Sequence, residues 1–279
     1  MKSLFDKSSV DCSKQITKNY STSFSLAIKL LSPKIQDEIY AIYGFVRCAD
    51  EIVDTFDDYN QEELLTEFEI DFHKAYERKI SLNPVLNAFQ DVVHRYDIMD
   101  LVIPFLKSMR MDLYKREYLS KSEYEEYIFG SADVVGLMCL KVFVNGDKER
   151  YEELKESAMK LGSAFQKVNF LRDLKHDYET LGRVYFPDVN LLALSVDDKN
   201  KIVQEIEDDF RNALVGIKNL PKEAKFGVYT AYKYYMSLLN RINNTQPEEI
   251  LNKRIRVDDF SKLFIIGKSY VKYQLNYTL

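Results

Sequence analysis

Little in this chain can end a helix: only 9 Gly and 6 Pro interrupt 279 residues, and between them apolar residues recur at three- and four-residue intervals. That is the α-helical period, so almost the whole chain is expected to be helical. Several starts are marked chemically. Ser32-Pro33, Asn83-Pro84 and Leu220-Pro221 place Pro at or near a first helical position, while Asn60-x-x-Glu63 and Ser122-x-x-Glu125 resemble capping boxes. Helices are expected over roughly 6–21, 33–56, 61–80, 84–96, 100–118, 121–144, 148–180, 198–219, 222–243 and 258–276. The longest irregular stretch runs from Gly182 to about Asp197 and does not have the composition of a flexible linker. No fixed-period repeat is present, so one all-α domain over residues 1–279 is expected.

Hydrophobic residues make up 46% and charged residues 30%, enough apolar surface for one large core. The formal net charge is -5, with Lys and Arg scattered among Asp and Glu. A nucleic-acid partner is therefore not expected, because binding a phosphate backbone needs a concentrated basic face. Cys12, Cys48 and Cys139 are far apart and have no Cys-x-x-Cys spacing, which fits a reducing compartment rather than a disulfide framework or a zinc site. Met1 to Lys18 does not read as a secretory segment, and nothing approaches the ~18 consecutive apolar residues of a membrane span. The expectation is a cytoplasmic protein able to touch a membrane peripherally. His73 and His94 are expected at solvent-exposed helix positions.

Two helices carry matching polar stripes. In IYAIYGFVRCADEIVDT (Ile39 to Thr55), Tyr43, Arg47, Asp50 and Asp54 follow spacings of four, three and four, so they share one helical face. Asp50 and Asp54 are separated by about 6 Å of axial rise, and Glu51 lies beside them. In LGSAFQKVNFLRDLKHDY (Leu161 to Tyr178), Gln166, Asn169, Asp173 and Asp177 follow spacings of three, four and four, with Arg172 adjacent. The other faces of that helix carry Leu161, Ala164, Phe165, Val168, Leu171 and Leu174, which predicts a central position. One Asp-x-x-x-Asp pair is common on solvated helices. Two stripes that each mix carboxylates with Arg and an uncharged amide or phenol are not. Burying several carboxylates without cations costs several kcal/mol apiece, and oxygen-only donors favour Mg²⁺ together with phosphate oxygens. The stripes therefore point to a diphosphate site.

At these residues the chain resembles the squalene and phytoene synthase family. The resemblance begins near Tyr20-Ser21-Thr22-Ser23-Phe24 and continues through Ile42-Tyr43-Gly44-Phe45-Val46-Arg47 into Asp50-Glu51-Ile52-Val53-Asp54. It resumes at Met109-Arg110-Met111-Asp112-Leu113, at Tyr127 to Met138, and at Leu161 to Pro187, about two thirds of the chain in all. Its most specific block is Asn169-x-x-Arg172-Asp173-x-x-x-Asp177 followed by Gly182-Arg183-x-Tyr185-Phe186-Pro187. His176 departs from the pattern, standing where the family usually has Glu.

The resemblance implies an isoprenoid synthase-type helical bundle around a central cavity. Asp50, Asp54, Asn169, Asp173 and Asp177 would ligate a cluster of two or three Mg²⁺ ions, and Arg47 and Arg172 would pair with diphosphate oxygens. Ser21, Tyr43, Tyr127, Gln166 and Arg183 are further candidates for substrate or leaving-group contacts, and Phe24, Tyr127 and Tyr235 would lie near the prenyl tails. The implied reaction is phytoene synthesis, the head-to-head condensation of two geranylgeranyl diphosphates through a cyclopropyl diphosphate in carotenoid biosynthesis. A dehydrosqualene or squalene synthase using two farnesyl diphosphates is the alternative. No Gly-x-Gly-x-x-Gly or other nicotinamide fingerprint occurs, consistent with a phytoene reaction that needs no nicotinamide. A non-catalytic scaffold would be expected to erode its acidic motifs, and both are present here.

Overall fold

The computed structural model describes residues 1–187, 189, 194–252, 254, 255, 265 and 267–270. In chain order the helices are α1 (Lys2–Tyr20), α2 (Thr22–Lys29), α3 (Pro33–Thr55), α4 (Gln61–Arg78), α5 (Pro84–Tyr96), α6 (Met99–Tyr114) and α7 (Lys121–Ile128). A π-turn (Phe129–Asp133) leads into α8 (Val134–Phe143), followed by α9 (Lys148–Glu179), α10 (Val196–Asn219), α11 (Lys222–Asn243) and α12 (Pro247–Ile250). The fold is the all-helical one expected, and no strand is found among the described residues. Of the helix expected over 258–276, residues 265 and 267–270 are helical and the rest lies outside the described residues.

The differences from expectation have local causes. The first helix stops at Tyr20 because Ser21 is extended (φ -145°, ψ 101°) and its hydroxyl accepts from Phe24 N at 3.2 Å, starting α2. The cap of α7 is Ser120 with Glu123, not Ser122 with Glu125: Ser120 Oγ accepts from Glu123 N at 3.3 Å, and the Glu123 carboxylate accepts from Leu119 N at 3.0 Å. α6 ends at Tyr114 rather than 118, because the next residues are drawn into a strand-like pairing in which Val184 N donates to Arg116 O at 2.8 Å and Tyr118 N to Val184 O at 3.2 Å. The expected helix 121–144 contains the π-turn where Gly130 lies against α6. A Cβ at Gly130 would sit 2.8 Å from Pro104 O and closer still to the Ser108 hydroxyl. His94 is half-buried, its ring stacked on Tyr76 at 4.0 Å, whereas His73 is exposed.

Two hydrophobic clusters form the interior. One joins α3, α4, α5, α6 and α8 around Phe45, whose ring stacks on Phe89 at 3.9 Å. The other joins α9, α10 and α11 to the 185–186 segment, with Phe170 stacked on Tyr185 at 3.8 Å. α9 is central: it packs against α7, the π-turn, α8, α10, α11 and α12. Its approach to the π-turn is backbone to backbone, since a Cβ at Gly162 would lie 2.8 Å from Ala132 O. Cys139 keeps accessible surface, yet burial pushes its thiol up to about 12.

Asp133 closes the π-turn, and its carboxylate accepts from Ser163 Oγ on α9 at 2.7 Å. Burial pushes Asp133 up to about 7, against the Ser163 hydrogen bond and the Lys167 charge. The native state therefore holds this proton more tightly than the unfolded chain. Stability is greatest below the unfolded value near 4 and is lost as pH rises toward 7. Asn at this position stays neutral and can still accept from Ser163. In urea unfolding, Asp133→Asn is expected to match the parent near pH 4 and to exceed it by about 2 kcal/mol at pH 8.5.

Candidate active site

The α3 stripe lies inward at the carboxyl end of that helix. Arg47 pairs with both Asp50 and Glu51, and the Tyr20 ring covers its guanidinium at 4.5 Å. Burial pushes the Asp50 carboxyl up to about 7, with Asp54 adding to the shift and Arg47 opposing it. Tyr43, one turn earlier, is raised by burial against a hydrogen bond with Ser21; it also feels Arg47 on its own helix and Arg172 on α9.

The α9 stripe faces it. Arg172 grips its neighbour Asp173 through Nε at 3.0 Å and through a second, shorter bond. Arg254 reaches the same carboxylate from beyond α12, Nε to Oδ1 at 2.7 Å. Tyr235 Oη donates to Asn169 Oδ1 at 3.4 Å. Burial raises Asp177 to about 8, followed by the charges of Asp173 on its own helix and Asp54 on α3. The two acidic stripes thus lie within each other's field, although their motifs are more than a hundred residues apart. Gln166 is half-buried one turn before Asn169. His176 is largely exposed, with Nδ1 3.7 Å from Asp177 Oδ1.

Arg183 lies between these acidic groups, 2% exposed. Its Nη1 donates to Asp54 Oδ1 at 2.5 Å, and its Nη2 donates to Val53 O at 3.2 Å and Asp112 O at 3.1 Å. The Asp112 side chain, which belongs to neither stripe, accepts from Tyr127 Oη at 3.0 Å; burial pushes it up to about 7 despite Arg183. Tyr127 therefore sits apart from the other predicted aromatics, among Tyr118, Phe170 and Tyr185. Phe24 and Tyr235 do come together. With Tyr43 and Phe165 they form an apolar aromatic wall in which Phe165 stacks on Tyr235 at 4.0 Å and Phe24 lies 5.6 Å from Tyr43 and 6.0 Å from Tyr235.

Comparison with known proteins gives the family. A family model described as squalene/phytoene synthase matches residues 17–261. The chain belongs to the squalene/phytoene synthase family. Its members are prenyltransferase-type enzymes. The 15-cis-phytoene synthase of Synechocystis is 29% identical over 94% of this chain and 84% of its own length. Phytoene synthase 3 of Zea mays is 27% identical over 92% of this chain, which spans 64% of that relative. Among solved structures, a dehydrosqualene synthase crystallised with a ligand superposes with a TM-score of 0.82 at 21% identity, over 96% of this chain and 98% of the other.

The family implies a divalent metal, and the donor set fits one. The carboxylates Asp50 and Asp177 are held above the usual carboxylate range by burial first, with Asp54 adding to both, a cost that an added cation would relieve. The stripes offer oxygen donors, with His176 beside Asp177 largely exposed, a set that suits Mg²⁺. Among the described residues no three acidic, His or Cys side chains converge closely enough to hold an ion as they stand. Arg47, Arg172, Arg183 and Arg254 instead act as their counter-charges.

Proposed function

We propose that this chain is a phytoene synthase, condensing two geranylgeranyl diphosphates head to head with Mg²⁺. The observation that carries the proposal is Arg183, which donates through Nη1 to Asp54 Oδ1 at 2.5 Å and through its backbone N to Asp177 O at 2.8 Å, tying the two acidic stripes together near the aromatic wall of Phe165 and Tyr235. Relatives named phytoene synthase from bacteria and plants support the choice of product.

In this reading Asp50 and Asp54 from α3, with Asn169, Asp173 and Asp177 from α9, hold the ions. Bound there, Mg²⁺ supplies Lewis-acid neutralisation of the charge that builds on the departing pyrophosphate. Arg47 and Arg172 turn from their carboxylates toward diphosphate oxygens, adding charge-assisted hydrogen bonds where negative charge grows. The first allylic C–O bond breaks, the double bond of the second substrate captures the cation, and loss of a proton leaves a cyclopropyl diphosphate. A second ionisation, rearrangement and proton loss give the hydrocarbon. Phe24, Phe165 and Tyr235 exclude water and present π faces to the cation. No described helix is long and apolar enough to cross a membrane; release of so oily a product calls for peripheral contact with a bilayer, which the proposal includes.

The test incubates purified protein and Mg²⁺ with geranylgeranyl or farnesyl diphosphate, with and without NADPH, and identifies extracted hydrocarbons by mass. The expected product is phytoene from the geranylgeranyl substrate, unaffected by NADPH. Dehydrosqualene or squalene formed only from the farnesyl substrate would replace this assignment, and no hydrocarbon from either would end it.

A further inference from the structure

Arg183 has two acidic neighbours and uses them unequally. It is tightly paired with Asp54, one of the proposed metal ligands, at 2.5 Å, while its Nε stops 3.9 Å from Asp112 Oδ1. That second contact is too long for a hydrogen bond. Both atoms facing the gap, Arg183 Nε and Asp112 Oδ1, are buried without a hydrogen-bond partner, and so is the hydroxyl of Tyr118. The two side chains are 2% and 3% exposed. Orphaned polar atoms at such depth carry a desolvation cost that a small displacement of the guanidinium toward Asp112 would remove. Arg183 Nη2 is anchored by Val53 O and Asp112 O, one from the end of α3 and one from α6, which leaves Nη1 and Nε as the atoms free to exchange partners. Asp112 in turn is held in place by the hydroxyl of Tyr127.

We propose that Arg183 is a displaceable internal counter-ion and that Asp112 is the carboxylate that receives it. Before metal arrives, Arg183 neutralises Asp54. When a divalent cation binds Asp54, the guanidinium swings by about 1 Å onto Asp112 Oδ1, a distance set by the gap between 3.9 Å and an ordinary charge-assisted hydrogen bond. The buried positive charge keeps an anionic partner in both states, so Asp54 is released without stranding Arg183 in the interior. Asp112 is on this account a positioning residue: it touches neither substrate nor metal and governs how readily Asp54 becomes available.

The inference rests on the diphosphate and metal reading of the site. Its test is a binding measurement on the whole protein: the Mg²⁺ concentration giving half of the maximal thermal stabilisation in the presence of inorganic pyrophosphate. Asp112→Asn keeps the shape of the side chain and removes the charge that would receive Arg183. The half-saturating Mg²⁺ concentration is expected to rise about tenfold, the usual scale for a group that supports a metal ligand from behind. Asp112→Glu should recover part of the shift. If Asp112→Asn does not fold, Tyr127→Phe, which frees Asp112 from its hydrogen bond, should move the midpoint in the same direction by about threefold. A midpoint within twofold of the parent in the folded variant overturns the counter-ion role and leaves the site assignment standing. A parent protein that Mg²⁺ and pyrophosphate fail to stabilise overturns both.

Discussion

Asp173→Asn is expected to lower turnover of geranylgeranyl diphosphate by roughly a thousandfold or more, with the helical circular dichroism spectrum unchanged. In the resting structure Asp173 is gripped by the largely buried Arg172 and the half-exposed Arg254, and an amide there keeps an oxygen that can accept from both. The fold is therefore expected to survive loss of this charge. Asp50→Asn on the opposite stripe should behave the same way, because burial and Asp54 already oppose ionisation there and an amide relieves that repulsion. Activity close to that of the parent in either variant would remove the ligand role from that residue.

The largest effect on stability is expected away from this site. Lys167 is buried on α9 between Glu205 and Asp209 of α10, its Nζ 2.7 Å from Asp209 Oδ2. Burial works against its charge, and the two carboxylates outweigh that effect. Lys167→Met fills a similar volume but leaves the 5%-exposed Asp209 with Lys160 alone, at 3.1 Å. Removing one partner of a buried ion pair leaves an uncompensated charge, so unfolding in urea should show a loss of about 3 kcal/mol. A loss below 1 kcal/mol would mean that Lys160 and solvent compensate Asp209. The double variant Lys167→Met with Asp209→Leu should recover much of the stability.

What could be read from the sequence follows from what periodicity reports. Spacing says which residues share a face, so the stripes of α3 and α9 and the central position of α9 could be read directly. Caps at Asn60 and Asn83 could be read too, since each is a local bond between a side chain and the next turn. Breaks imposed from outside a helix could not. The π-turn depends on Gly130 meeting Pro104 and Ser108 of α6, and the end of α6 depends on residues 116 and 118 pairing with Val184. The cap at Ser21 was local but hidden in a run of polar residues that continued the helical pattern.

The candidate site divides the same way. Every inward carboxylate of the two motifs was visible as part of a stripe. Asp112 was within a block of family resemblance but had no striped partner, and its meaning comes only from Arg183 and Tyr127, brought to it from distant parts of the chain. Arg254 carried no pattern at all. Tyr127 shows the converse, a residue grouped with Phe24 and Tyr235 by resemblance that the fold turns toward Asp112 instead.

Binding of a non-hydrolysable geranylgeranyl thiolodiphosphate, measured by calorimetry with and without Mg²⁺, tests the convergence of the two stripes most directly. The account predicts Mg²⁺-dependent binding that is lost in both Asp50→Asn and Asp173→Asn, although these residues come from different helices. Binding that ignores Mg²⁺, or that only one of the two substitutions impairs, would contradict it.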